Sequence, residues 1–261
     1  MYRVYRVKIA LKTQSIEVYF LPPATGQVNL AGKTAVPVDI LRAGTTIVTA
    51  LANGASEFAT FATIDETLEF SAGRESKPVL GGERHGKLIQ GFDLGNSPAD
   101  YIPERVADQV VAFTTTNGTK AIEACRGSKR ILIGAFVNLD AICSELANSD
   151  RVVIICAGTR NEMTLEDILF AGAVCDEVST KCKKQVDDLA GNRQVQICHQ
   201  MWVSLKSRMN AGSTTLAGSF ESSQGGRDLI EIGMSSDLGL AAEVDKFQNV
   251  PELDQDRWVI K

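Results

Sequence analysis

The 261-residue chain has six cysteines but no Cys-x-x-Cys pair, only two histidines, and no run of apolar residues as long as a bilayer is thick. Each absence excludes something. Without paired cysteines, a cysteine-built zinc site or a thioredoxin-type redox centre is ruled out. The cysteines (125, 143, 156, 175, 182 and 198) lie mostly in apolar stretches and read as reduced thiols, which points to the cytoplasm. None is followed six residues later by an arginine, which excludes cysteine-phosphatase chemistry. No Gly-x-x-x-x-Gly-Lys-Ser/Thr spacing is present, so there is no Walker loop. Basic residues are not in excess. A net charge of −5 excludes nucleic acid as a major partner and means that an anionic ligand would need local arginines or a metal ion. The first residues, Met-Tyr-Arg-Val-Tyr-Arg-Val-Lys, lack the apolar core of a signal peptide, and nothing predicts a membrane partner.

What is present is an ordinary globular composition, 44% hydrophobic and 23% charged, arranged in a repeating order of strand, polar turn and helix. Strands are predicted over 2–11, 16–20, 34–40, 56–62, 109–113, 130–136 and 151–156. Helices are predicted over 47–51, 64–72, through 124, from Asn138 to about 147, and from Thr164 to about 178. Pro37 has no N–H to donate, so its strand should be an edge or be irregular there. From 179 the pattern turns helical, with stretches near 186–190, 196–209 and 227–233. A Gly/Ser-rich link spans 211–226, and a last strand falls over 256–260. The expectation is an α/β fold: a largely parallel or mixed sheet flanked by helices, with a more helical C-terminal third. We read 1–261 as a single unit, whose two halves (1–148 and 149–261) meet at Asn148-Ser149-Asp150. The helices of the last third leave room for a homodimer.

Ligands of open α/β sheets bind at the carboxyl ends of strands. The turns at 39–46, 114–120 and 157–167 fit that position, and residues 81–101, with five glycines and Pro98, read as a shaped functional loop ending in a helix capped by Ser97. Asp39, at the end of an apolar strand, suits Mg²⁺, with a buried pair to Arg42 as the plainer alternative. Glu83 and the Glu166-Asp167 pair are further metal-site carboxylates, although Thr164-x-x-Asp167 also resembles a capping box. Hydroxyls and amides of Thr115, Thr116, Asn117, Gly118 and Thr119 suit phosphate, as do Arg42 and Arg84. Asp39, Glu83 or Asp93 would be the catalytic carboxylate. Arg84-His85-Gly86 matches the opening of the histidine-phosphatase motif, but the only other histidine is His199, within a helix.

Taken together, Val38-Asp39-Ile40-Leu41-Arg42-Ala43, Gly82-Glu83-Arg84-x-Gly86, Gly91-Phe92-Asp93-Leu94-Gly95-Asn96-Ser97-Pro98, Thr115-Thr116-Asn117-Gly118-Thr119, Cys156-Ala157-Gly158-Thr159 and Leu165-Glu166-Asp167 come in one order over about 36–175. That order resembles the Mg²⁺-dependent 2-phosphosulfolactate phosphatases. The resemblance implies hydrolysis of (R)-2-phospho-3-sulfolactate, or a related phosphorylated 2-hydroxy acid, to 3-sulfolactate and phosphate, a step of coenzyme M biosynthesis. It implies Mg²⁺ as cofactor and a small anionic phosphoester as partner. Gly44, Lys120 and Arg160-Asn161-Glu162 depart from the pattern, the last in the part of the pocket expected to face the sulfonate. Two other readings stand beside it: a histidine phosphatase or mutase using His85, and a non-catalytic protein that binds an anionic metabolite.

Overall fold

The computed structural model describes residues 13–24 and 26–261, so the strand expected over 2–11 lies outside the described residues. In chain order the strands are β1 Ser15–Tyr19, β2 Thr34–Val38, β3 Glu57–Phe61, β4 Val79–Arg84, β5 Lys87–Leu88, β6 Val110–Thr114, β7 Arg130–Ile131, β8 Arg151–Cys156, β9 Leu253–Asp254 and β10 Val259–Ile260. The helices are α1 Ala43–Ala52, α2 Ile64–Ala72, α3 Pro103–Val106, α4 Gly118–Ala124, α5 Leu139–Leu146, α6 Leu165–Cys182, α7 Val186–Leu189, α8 Arg193–Asn210, α9 Leu216–Glu221, α10 Gln224–Glu231 and α11 Ser236–Ala241.

Two sheets form. One is parallel, in the order β1-β8-β2-β7. The other is mixed, in the order β5-β4-β6-β3-β10-β9, with β4, β6 and β3 parallel and the rest antiparallel. The α/β class therefore holds, as does the helical C-terminal part. Strand β8 is near-continuously apolar because both of its faces are covered, as parallel strands require. A single apolar cluster runs from Ile16 to Ile260 and draws on both sheets, with Phe58, Phe113, Ile131 and Ile154 fully buried in it.

Of the two alternatives at Pro37, the structure takes the second. Strand β2 is not an edge, because β8 flanks one side and β7 the other, and Pro37 interrupts one ladder instead. Ala35 C=O accepts from Leu132 N–H, so in this register the next residue facing β7 is Pro37, which has no hydrogen to give. The β7 ladder accordingly ends after Ile131. The strand expected over 130–136 is therefore only two residues long. The chain swings away, Ile133 donates to Pro251 C=O, and Phe136 lies in a 3₁₀ turn.

Elsewhere the differences are local. Residues 81–84 of the supposed loop belong to strand β4, and the helix at Ser97-Pro98 is one 3₁₀ turn over Pro98–Asp100. Helix α1 begins at Ala43, so Thr45 and Thr46 are helical. The link at 211–226 holds α9 and the first turn of α10, whose caps are Thr215 and Ser223. Those hydroxyls accept from Gly218 and Gly226 N–H, a capping signal that the glycines obscured.

Candidate active site

The carboxyl ends of β2, β4, β6 and β8 deliver their turns to one cleft of about 770 Å³, so the four turns singled out in the sequence do converge. Asp39, Leu41 and Arg42 come from the first, Glu83 to Lys87 and Asn96 from the second, Thr116 and Asn117 from the third, and Thr159 and Arg160 from the fourth. Helix α10 closes the remaining wall with Gly225, Asp228, Leu229, Glu231 and Ile232, none of which the sequence pointed to.

Asp39 is half-buried at the centre. Its Oδ1 accepts from Ala43 N–H at 3.2 Å, and its main-chain oxygen accepts from Gly44 N–H at 2.7 Å, so it starts α1 in place of a capping side chain. Its Oδ2 faces Gly118, where a Cβ would come within 2.7 Å of it; only glycine lets α4 approach so closely. The alternative, a pair with Arg42, does not form. Arg42 is buried and turned to Asp237 Oδ2 at 2.8 Å and Gly86 C=O at 3.0 Å, while Ser97 donates to the other Asp237 oxygen at 2.7 Å. Asp237 lies 195 positions from Arg42, in a helix that carried no site signal.

Each of the other carboxylates has a distinct place. Glu83 is buried and saturated by backbone: Thr116 N–H donates to Oε1 and Gly86 N–H to Oε2, both at 2.7 Å. It therefore ties the β4–β5 hairpin to the turn after β6. Asp167 likewise accepts from Ile40 N–H at 2.9 Å and Gly158 N–H at 3.1 Å. The capping box does not form: Thr164 makes no side-chain cap bond, and Asp167 instead fastens the turn after β2 to the turn after β8. Glu166 is 2% exposed and points the other way. Its Oε2 has no partner, and Gly225 leaves room where any side chain would collide with Oε1.

Asp93 is not brought to the cleft; it is exposed and accepts from Leu80 N–H at 2.9 Å. Arg84 reaches the cleft wall, where it donates to Thr114 Oγ1 at 2.9 Å and to Glu83 C=O at 2.8 Å. Thr115 and Thr119 are spent on each other's backbone at the start of α4. Thr116 Oγ1 and Asn96 Oδ1 are buried beside the cleft without partners, which leaves hydrogen-bonding capacity for a ligand. His85 is exposed at the mouth, and His199, on α8, pairs with Asp176 of α6, so no second histidine faces His85.

The electrostatics follow from this crowding. Burial, with the Asp167, Glu83 and Glu166 carboxylates nearby, lifts Asp39 well above the usual carboxylate range, against the hydrogen bond from Ala43. Burial and then Asp167 push Glu166 up to about 7. Burial pushes Asp167 up to about 6, opposed by the N–H groups of Ile40 and Gly158. These groups fit a cation in charge and in free lone pairs, chiefly Glu166 Oε2 and Asp39 Oδ2. They do not form a closed cage: among the described residues no three His, Cys, Asp or Glu groups converge on one point. An ion that takes one or two carboxylates and completes its shell with water and phosphate oxygens suits such a place; a caged structural ion does not.

An α/β fold that gathers surplus carboxylates, arginines and free hydroxyls where parallel strands end belongs to the class of phosphate-ester hydrolases. Comparison with known proteins narrows the class to a family. The family model of 2-phosphosulpholactate phosphatase matches residues 19–256. A probable 2-phosphosulfolactate phosphatase of Pseudothermotoga lettingae is 38% identical over 244 residues, covering 94% of this chain and 98% of the relative. Proteins of the same description from Caldanaerobacter subterraneus (34% identical; 86% and 89% covered) and Thermotoga maritima (33%; 88% and 92%) agree. The chain belongs to the 2-phosphosulfolactate phosphatase family, and the histidine-phosphatase reading is not favoured.

Proposed function

We propose that the chain hydrolyses (R)-2-phospho-3-sulfolactate to 3-sulfolactate and phosphate, with Mg²⁺ as cofactor. One observation carries the reading: Asp39, at the meeting of four strand ends, keeps an unbonded oxygen and no arginine of its own, because Arg42 is committed to Asp237. Asp39 and Glu166 would hold the metal ion, which when bound neutralises phosphate charge and orients the attacking group. Asp39 orients a water in line with the ester and accepts its proton. The phosphorus–ester oxygen bond breaks as the water oxygen bonds to phosphorus, and the departing oxygen takes up a proton to become the 2-hydroxyl. Arg84, Thr116 Oγ1 and the amides of Asn117 and Gly118 hold the phosphate oxygens, where charge stabilisation supplies most of phosphoryl-transfer catalysis. Glu83 and Asp167 keep the loops in place, and Asp93 takes no part.

No helix among the described residues is long and apolar enough to cross a membrane. A cytoplasmic enzyme of coenzyme M biosynthesis, working on a small anionic phosphoester, is the context in which this activity makes sense. The test is phosphate release from a panel of phosphorylated 2-hydroxy acids, with and without Mg²⁺. Hydrolysis of phosphosulfolactate that disappears on chelation is the expected result. Full turnover after exhaustive chelation would reject the metal, and no turnover on any member would reject the reaction.

A further inference from the structure

A substrate with two acidic groups besides its phosphate calls for cations beyond those at the phosphate end of this cleft. Arg42 is buried and holds Asp237 and Gly86, while Arg84, bonded to Thr114 Oγ1 and the main-chain oxygen of Glu83, serves the phosphate, and Lys87 lines the cleft from the β4–β5 hairpin. Arg160 comes from the opposite turn, after β8. Its side chain lines the same cleft, is 72% exposed, and has one partner among the described residues, Asp228 Oδ2 of α10 at 3.1 Å. The other Asp228 oxygen is held by Gln224 at 2.7 Å, so this acid is fixed and orients the arginine.

The backbone at Arg160 is also unusual. Thr159 and Glu162 exchange N–H···O=C bonds at 2.9 Å in both directions, closing a two-residue turn. Its central residues, Arg160 and Asn161, have φ of 55° and 62°, the type I′ arrangement that favours Asn and Gly. A long cationic side chain is disfavoured at the first of these positions, yet it is there that the chain places an arginine, facing the cleft from the turn after β8.

We propose that Arg160, braced by Asp228, is an anion subsite that reads the acidic group carried by the substrate's C3 methylene rather than the carboxylate bonded to the phosphate-bearing carbon. The inference rests on the phosphatase reading above and adds to it the residue that sets selectivity. A guanidinium fork matches the paired oxygens of a sulfonate or carboxylate, and one edge of this fork is already pinned in place by Asp228. Leu229, on the same helix as Asp228, and Ile232, at that helix's C-cap, give the intervening methylene an apolar wall. Glu231, also on this wall, is exposed and disfavours an anion bound without the arginine.

The experiment compares kcat/KM for 2-phospho-3-sulfolactate with kcat/KM for 2-phospholactate, which carries a methyl group in place of the sulfonate-bearing arm. Arg160→Asn suits the test because asparagine tolerates the positive φ and keeps the turn while removing the charge. The ratio of the two values should fall on the order of ten- to a hundredfold, the worth of a charged hydrogen bond. A ratio within twofold of the wild type, in a variant with wild-type circular dichroism, overturns the subsite. If the wild type hydrolyses neither ester, the phosphatase reading is what has failed. Calorimetric titration with 3-sulfolactate and with lactate then decides the subsite alone: the wild type should prefer 3-sulfolactate and Arg160→Asn should not. No preference in the wild type, or the same preference in both proteins, overturns it.

Discussion

Helix α6 carries acids at both ends of a contrast. At its start, Glu166 lies against the cleft-lining Gly225 and Asp167 ties the turns after β2 and β8 together, with carboxyls raised to about 7 and about 6. Further along the same helix, Asp176 meets α8, where Trp202 Nε1, Lys206 Nζ and His199 Nε2 approach at 3.3, 3.0 and 3.5 Å. There burial, which would raise the carboxyl, is outweighed by Lys206 and His199, and Asp176 is lowered. The α8 face answers its half-buried acid with cations from within the chain. The acids at the cleft have none: backbone N–H groups hold Glu83 and Asp167, Glu166 Oε2 has no partner, and Arg42 is diverted to Asp237. Acids left without a cationic partner mark the place that expects something from outside.

The largest expected effect lies at the centre of the cleft. Asp39→Asn should lower turnover a hundredfold or more, about 2.7 kcal/mol of transition-state stabilisation, while circular dichroism stays that of the wild type. Near-normal turnover in the folded variant would break the contrast, because Asp39 would then be only the start of α1.

Asp167→Asn should be the most destabilising of the changes at these acids, by about 1–3 kcal/mol in denaturant unfolding. An amide can satisfy only one of the two N–H groups, Ile40 and Gly158, that the carboxylate now holds. Glu166→Gln should do the reverse, with stability retained and Mg²⁺ dependence weakened. If Glu166→Gln were the less stable of the two, the roles assigned to the neighbours would be exchanged.

The pH dependence sharpens the comparison further. A carboxyl raised in the folded state binds its proton more tightly there than in the unfolded chain. Glu166 and Asp167 therefore contribute stability below their unfolded values near 4, and that stability is lost as pH rises through about 6 to 7. Thermal midpoints of chelated protein should fall across that window, Mg²⁺ should restore them, and Glu166→Gln should flatten the curve. A chelated midpoint that is flat from pH 4 to 7 would contradict the raised pair.

Asp176 should show the opposite sign and the smallest effect. Its contribution is present above the unfolded carboxylate value and is lost only as pH falls below about 4. Asp176→Asn should remove under about 1 kcal/mol, since its partners are partly exposed, and should leave turnover within twofold. A large loss of activity would mean that the two acid groups on α6 are coupled.

How far the sequence could be read is clear from the same residues. The alternation of strand, polar turn and helix was legible because apolar periodicity is a local property, and α2 and β8 have the predicted limits. So were the four turns that carry the chemistry, since ligand-bearing loops follow the carboxyl ends of parallel strands. Side-chain partners were not. Arg42 beside Asp39 in sequence suggested an ion pair, and Thr164 three residues before Asp167 suggested a cap; both inferences took closeness along the chain for closeness in space. The partners chosen instead are Asp237, 195 positions from Arg42, and Ile40, 127 positions from Asp167.

By itself, then, the amino-acid order determined the α/β class, the turns that bear function and the residue types available there. Packing of distant segments decided which acids were satisfied by backbone and which were left open, and that α10 would wall the cleft. Local pattern fixes backbone conformation residue by residue, whereas a buried charge takes its partner from whatever the folded chain brings within about 3 Å, and no short stretch of sequence encodes that distance.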